Sequence, residues 1–128
     1  MLQSSYIFNI VELLLEDFEF MRQAKKQLDY IIEKDFEYTG SGLLVGFEHL
    51  NGIQEHKINT PDLILNGVKI ESSEYSIKAE TNLFFTDGLI DYLEIWCYLG
   101  DYPHEEMIRY KLSQVWENGP QRVICIGD

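Results

Sequence analysis

A chain of 128 residues is long enough for one globular domain and too short for two. Hydrophobic residues make up 45% of it and run from end to end, which excludes a disordered chain although 22 Asp and Glu outnumber 10 Lys and Arg. The net charge of −12 argues against a nucleic-acid binder, because neutralising phosphates needs clustered Lys and Arg.

The first third predicts one long helix. Ile7, Val11, Leu14, Phe18, Met21, Leu28 and Ile32 recur at helical spacings, flanked by Ile10, Leu15 and Ile31, while Glu12, Glu16, Glu19, Lys26 and Glu33 fall elsewhere. Ser4 or Ser5 is the expected N-cap, and the pattern dies at Asp35-Phe36-Glu37-Tyr38, before Gly40-Ser41-Gly42. Met1-Leu2-Gln3-Ser4-Ser5 lacks the basic start of a secretory signal. Runs such as Leu13-Leu14-Leu15 and Leu43-Leu44-Val45 fall far short of the roughly 20 residues that span a bilayer. A cytoplasmic protein with no membrane partner is expected.

From Gly42 onward turn signals arrive at short intervals: Asn51-Gly52, Asn66-Gly67, Asp87-Gly88, Gly100-Asp101 and Asn118-Gly119-Pro120. They punctuate strands expected at Leu43 to Leu50, Ile53 to Ile58, Asp62 to Leu65, Val68 to Glu71, Tyr75 to Phe85, Leu89 to Tyr98 and Arg122 to Ile126. Met107 to Trp116 alternates like a strand through Ile108, Tyr110 and Leu112, yet Pro103 followed by Glu105-Glu106 also resembles a helix start. The strand is the preferred reading. The whole chain, 1–128, reads as a single α+β domain, with its long N-terminal helix packed on a mostly antiparallel sheet, a meander. Cys97 and Cys125 lie in apolar runs without CxxC spacing and are expected to be reduced and buried.

The hairpin at Asp87-Gly88 decides which side chains share a face. A two-residue loop pairing Phe85 with Ile90 mixes polar and apolar residues, whereas a three-residue Thr86-Asp87-Gly88 loop pairing Phe85 with Leu89 separates them. Tyr75, Ile77, Ala79, Leu83, Phe85, Leu89, Leu93, Ile95 and Cys97 then form one apolar face, broken by Asp91. Lys78, Glu80, Asn82, Tyr92, Glu94, Trp96 and Tyr98 form the other, either open for docking or covered by the Met107 to Trp116 segment or the C-terminal strand. Flat aromatics beside a carboxylate are the composition of surfaces that dock Arg or Lys.

No constellation points to catalysis. His49 and His56 flank Asn51-Gly52 beside Glu48 and Glu55, and a hairpin there would bring the His-Glu pairs within reach, but no HExxH, HxH or Cys/His cluster accompanies them. Gly40-Ser41-Gly42 follows a helix and opens a strand, the reverse of a phosphate loop, and is expected to be a connector. Neither enzyme activity nor any metal or cofactor is expected.

The segment Leu83-Phe84-Phe85-Thr86-Asp87-Gly88-Leu89-Ile90-Asp91-Tyr92-Leu93-Glu94-Ile95, followed by Gly100-Asp101-Tyr102-Pro103, resembles a pattern of bacterial immunity proteins, roughly F-x-D-G-x-I-x-x-L-E-I-x(4)-G-x-x-P. Such proteins are encoded beside polymorphic toxins, including those of contact-dependent growth inhibition. The resemblance implies a partner: a cognate toxin domain, bound and neutralised. A basic nuclease would suit the acidic charge. Tyr92, Glu94, Trp96 and Tyr98 are the expected anchors, with Glu48, Glu55 and Asp101 as rim. The alternative is a cone-like α+β domain holding a small ligand in an apolar pocket, with Asp91 and His49 or His56 as its polar groups.

Overall fold

Ser4 starts the first helix: its extended backbone (φ −85°, ψ 120°) lets its hydroxyl accept from the Ile7 N–H, 3.1 Å away. In the computed structural model, which describes residues 1–16, 21–115 and 122–127, this helix α1 spans only Ser5–Leu14. The long helix is not formed. A short helix α2 (Met21–Lys26) and a 3₁₀ helix (Gln27–Tyr30) follow, and Ile31 is already extended. The cause is local. Ile31-Ile32 is a β-branched pair, and Phe36 and Tyr38 alternate with Asp35 and Glu37, so Ile31–Tyr38 forms an edge strand, β1. Gly40-Ser41-Gly42 therefore joins strand to strand, with Gly40 at φ 83°. Phe18 of the expected stripe and the polar Glu19 lie outside the described residues, as do Trp116 and the Asn118-Gly119-Pro120 turn.

The remaining strands are β2 (Gly42–His49), β3 (Leu63–Leu65), β4 (Val68–Ser72), β5 (Ile77–Thr86), β6 (Leu89–Leu99), β7 (Tyr110–Gln114) and β8 (Val123–Ile126). The fold is α+β, with one antiparallel sheet ordered β1-β2-β6-β5-β4-β7-β8 and β3 pairing the far end of β5. It is not a consecutive meander, because β2 neighbours β6 and β4 neighbours β7. Turn chemistry fixes each local hairpin, whereas the meeting of apolar faces fixes which hairpins lie side by side. The ambiguous segment supplies β7.

Ile53 to Ile58 is not a strand. Gly52 turns the chain at φ 102°, and Ile53–His56 forms a 3₁₀ helix in which the Glu55 N–H donates to the Gly52 carbonyl at 3.2 Å. Only Ile53 and Ile58 are apolar there, and the four polar residues between them give no alternation to hold a strand. His49 and His56 therefore do not face each other across a hairpin.

The β5–β6 turn also differs from expectation. Thr86 pairs with Leu89 around a two-residue loop in which Asp87 (φ 54°) and Gly88 (φ 79°) are both left-handed, the turn whose twist suits a hairpin. Phe85 pairs with Ile90, and the next pair is Phe84 with Tyr92, so Asp91 is an extra, bulged residue. The Thr86 hydroxyl donates to the Asp91 carboxylate at 2.7 Å. The bulge restores the phase that a longer loop would have given. Beyond the bulge the two faces separate as expected, by a different device, but beside the turn Ile90 takes the place expected for Leu89 on the Phe85 face, and Leu89 pairs with Thr86.

The inner face packs under α1. Ile70, Ile77, Leu83, Leu93, Ile95 and Leu112 are buried there with Ile7, Ile10 and Leu14. Burial of this apolar surface, at about 25 cal/mol per Å², is the dominant stabilising term. Cys97 is buried, but Cys125 is exposed on β8, where alternation turns Ile124 and Ile126 inward instead; both thiols are free. Among the described residues no helix is long and apolar enough to cross a membrane.

Candidate functional site

Strand β6 turns Leu93, Ile95 and Cys97 into the core, so period-two alternation sends Tyr92, Glu94, Trp96 and Tyr98 to the opposite side. The helices pack on the core side, and β7 and β8 extend the sheet beyond β4. On the outer face Trp96 and Tyr98 are exposed, while Asn82, Phe84, Tyr92 and Glu94 are half-buried. Trp96 is 50% exposed and Tyr98 40%, with ring centroids 6.1 Å apart.

The register with β5 orders this face. Glu80 lies opposite Trp96, Asn82 opposite Glu94 and Phe84 opposite Tyr92. The Phe84 and Tyr92 rings stack with centroids 4.3 Å apart and planes 8° from parallel. The Asn82 amide donates to the Glu94 carboxylate at 3.0 Å, which fixes that charge between the aromatics. Lys69 on β4 sets its ammonium 5.7 Å from the centre of the Tyr98 ring.

Glu48, exposed on β2, shares this outward side by alternation with Gly46, the partner of Tyr92. Asp101 is exposed just past Gly100, beyond the Tyr98 end. The two acids thus flank opposite ends of the aromatic row. Glu55 does not join them: it is exposed on the 3₁₀ helix Ile53–His56, which packs with α2, and its carbonyl accepts from the Gln23 side chain at 2.8 Å. Phe84, Lys69 and the exposed Ile64 opposite Phe84 belong to the face but escaped the sequence reading. For Phe84 the signal was present, since it continues the Glu80, Asn82 alternation.

Charge is unevenly balanced across the face. Lys69 pairs with Glu80 at 3.9 Å and Lys111 with Glu71 at 3.5 Å, both on the β4 side. Glu48, Glu94 and Asp101 make no ion pair among the described residues. The uncompensated charge lies towards β2 and β6.

The polar groups of the small-ligand alternative lie apart, although His56 Nδ1 is buried without a hydrogen-bond partner. His49 Nε2 is 2.6 Å from the Ile90 carbonyl, His56 packs on Tyr30 with centroids 5.0 Å apart, and Asp91 holds the bulge. The centre of the space between α1 and the sheet is filled by Ile7, Ile10, Leu14, Leu83 and Leu93, all under 2% exposed. Among the described residues no three His, Cys, Asp or Glu gather as a metal site. No protein-family model, curated protein or solved structure matches this chain.

Proposed function

We propose that this protein is an immunity protein, which binds a cognate bacterial toxin domain, a basic nuclease, and blocks its active site with the outer face of β6. The observation that carries this reading is the outward-facing row of Tyr92, Glu94, Trp96 and Tyr98, in which the Trp96 and Tyr98 rings are exposed. Large aromatics left on a surface beside an oriented carboxylate are the raw material of binding hot spots. The sequence resemblance supplies the class of partner. Charge supplies its sign: with a net −12 and four ion pairs among the described residues, most of the described acids carry no ion pair and are available to steer a basic partner. The toxin would be met in the cytoplasm, where Cys97 and the exposed Cys125 stay reduced.

The test is a binding titration against the toxin domain. Trp96→Ala is expected to lose about 2–4 kcal/mol of affinity, the range of a central aromatic anchor. Glu94→Lys should lose as much by placing like charge against a basic surface. Equal affinity of wild type and Trp96→Ala would overturn the assignment of this face.

A further inference from the structure

The end of the sheet that carries Trp96 and Tyr98 on its outer face also holds a cavity on its helical side. Leu43 lines that cavity and adjoins Gly42, the register partner of Trp96, so the two features flank one rim of the molecule. The cavity is about 250 Å³, walled by Tyr6, Phe36, Tyr38 and Tyr102 and bordered by Glu105 and Glu106.

Its walls are held in place. The Tyr6 and Tyr102 hydroxyls lie 2.7 Å apart in a buried hydrogen bond, and the His104 ring stacks on Tyr38 at 5.5 Å and 13°. Glu106 accepts from the Ser4 hydroxyl, and Glu105 accepts from the Tyr75 hydroxyl at 2.5 Å. Neither carboxylate makes an ion pair among the described residues. The field at the site is negative. Burial raises the Tyr38 phenol above its ordinary value, and the charges of Glu106 and Glu105 raise it further. The Tyr75 phenol is pushed up to about 12, first by its hydrogen bond to Glu105.

This chemistry selects its occupant. An anion meets two carboxylates, and a neutral apolar group removes their water without replacing it. A flat cation satisfies both parts of the site, lying against aromatic faces while donating to the carboxylates. We infer that the cavity between α1, the Tyr38 end of β1 and the Tyr102–Glu106 loop receives the guanidinium of one arginine side chain of the bound partner. This rests on the docking reading and adds a second, separate anchor to it.

The experiment has two arms. In the first, the isolated protein is titrated with N-acetyl-arginine amide and, as a neutral control of the same shape, N-acetyl-citrulline amide, and the Tyr38 and Tyr102 ring resonances are followed by NMR. The arginine probe should give saturable shifts with Kd on the order of millimolar, as one small ligand head allows. The citrulline probe should give none. The double variant Glu105→Gln, Glu106→Gln should bind at least tenfold more weakly, Tyr38→Leu likewise, and Tyr38→Phe within about twofold of wild type. Trp96→Ala should leave probe binding unchanged. Absence of saturation, or equal shifts with citrulline, overturns the cation site whatever the partner does. In the second arm the Glu→Gln double variant should bind the toxin domain about tenfold more weakly, and unchanged affinity overturns the partner's arginine as the occupant. Failure of the docking reading itself has a different signature, namely no effect of Trp96→Ala in the second arm.

Discussion

Gln27 is wholly buried, and its amide bridges three chain segments. Its Nε2 donates to the His56 carbonyl at 2.8 Å and the Gly88 carbonyl at 3.0 Å, while its Oε1 accepts from the Ile90 N–H at 2.8 Å. Replacing it with leucine keeps the volume but orphans the Ile90 N–H. Gln27→Leu is expected to cost about 2–4 kcal/mol in urea denaturation, with an unchanged m-value. Nothing in the sequence marked this residue, because its partners are distant in the chain and only the folded sheet assembles them. The Tyr6–Tyr102 pair is hidden for the same reason. Both phenols are raised above their ordinary value, chiefly by burial. Their contribution to stability is therefore complete below the unfolded tyrosine value of about 10 and is lost as pH climbs above it. In alkaline titration these two phenols should ionise only as the protein unfolds. Phenolate absorbance that rises to completion before the loss of circular dichroism would contradict this.

At the level of elements, alternation was the legible signal. It assigned the β5 and β6 side chains to their faces, because a period of two survives any change of register by two residues. Loop length was not legible, since a two-residue turn plus a bulge at Asp91 has the same parity as the three-residue loop. The strand β1 was hidden because Ile31 and Ile32 fit a helical stripe as well as a strand, and the sequence carries no partner for the strand until β2 folds beside it. The turn itself is exacting. A Cβ on Gly88 would lie 2.6 Å from the Ile58 carbonyl oxygen, and at φ 79° a side chain is strained in any case. Gly88→Ala is expected to cost about 1–3 kcal/mol, read as a lower melting temperature. Stability equal to wild type would mean that the two-residue turn does not form.

On the scale of the whole molecule, the helices and the core lie on one side of the sheet and the Trp96 row on the other, with the Tyr38 cavity at the rim of the helical side. Composition alone gave the sign of the charge, and α+β patterning gave the layers. The sheet order and the cavity beside Tyr38 were not readable, since both depend on which hairpins pack side by side. Because the acids are dispersed over the surface, association with a basic partner should slow as salt rises while dissociation changes little. Trp96, half exposed and outside the core, should tolerate alanine with a stability change within about 0.5 kcal/mol. The most direct measurement of the central claim is growth rescue on co-expression with the product of the adjacent upstream gene, the proposed toxin, scored together with co-purification. Rescue and a stable complex are expected with wild type, and loss of both with Trp96→Ala at undiminished protein level. Full rescue by Trp96→Ala, or no complex with wild type, would contradict it.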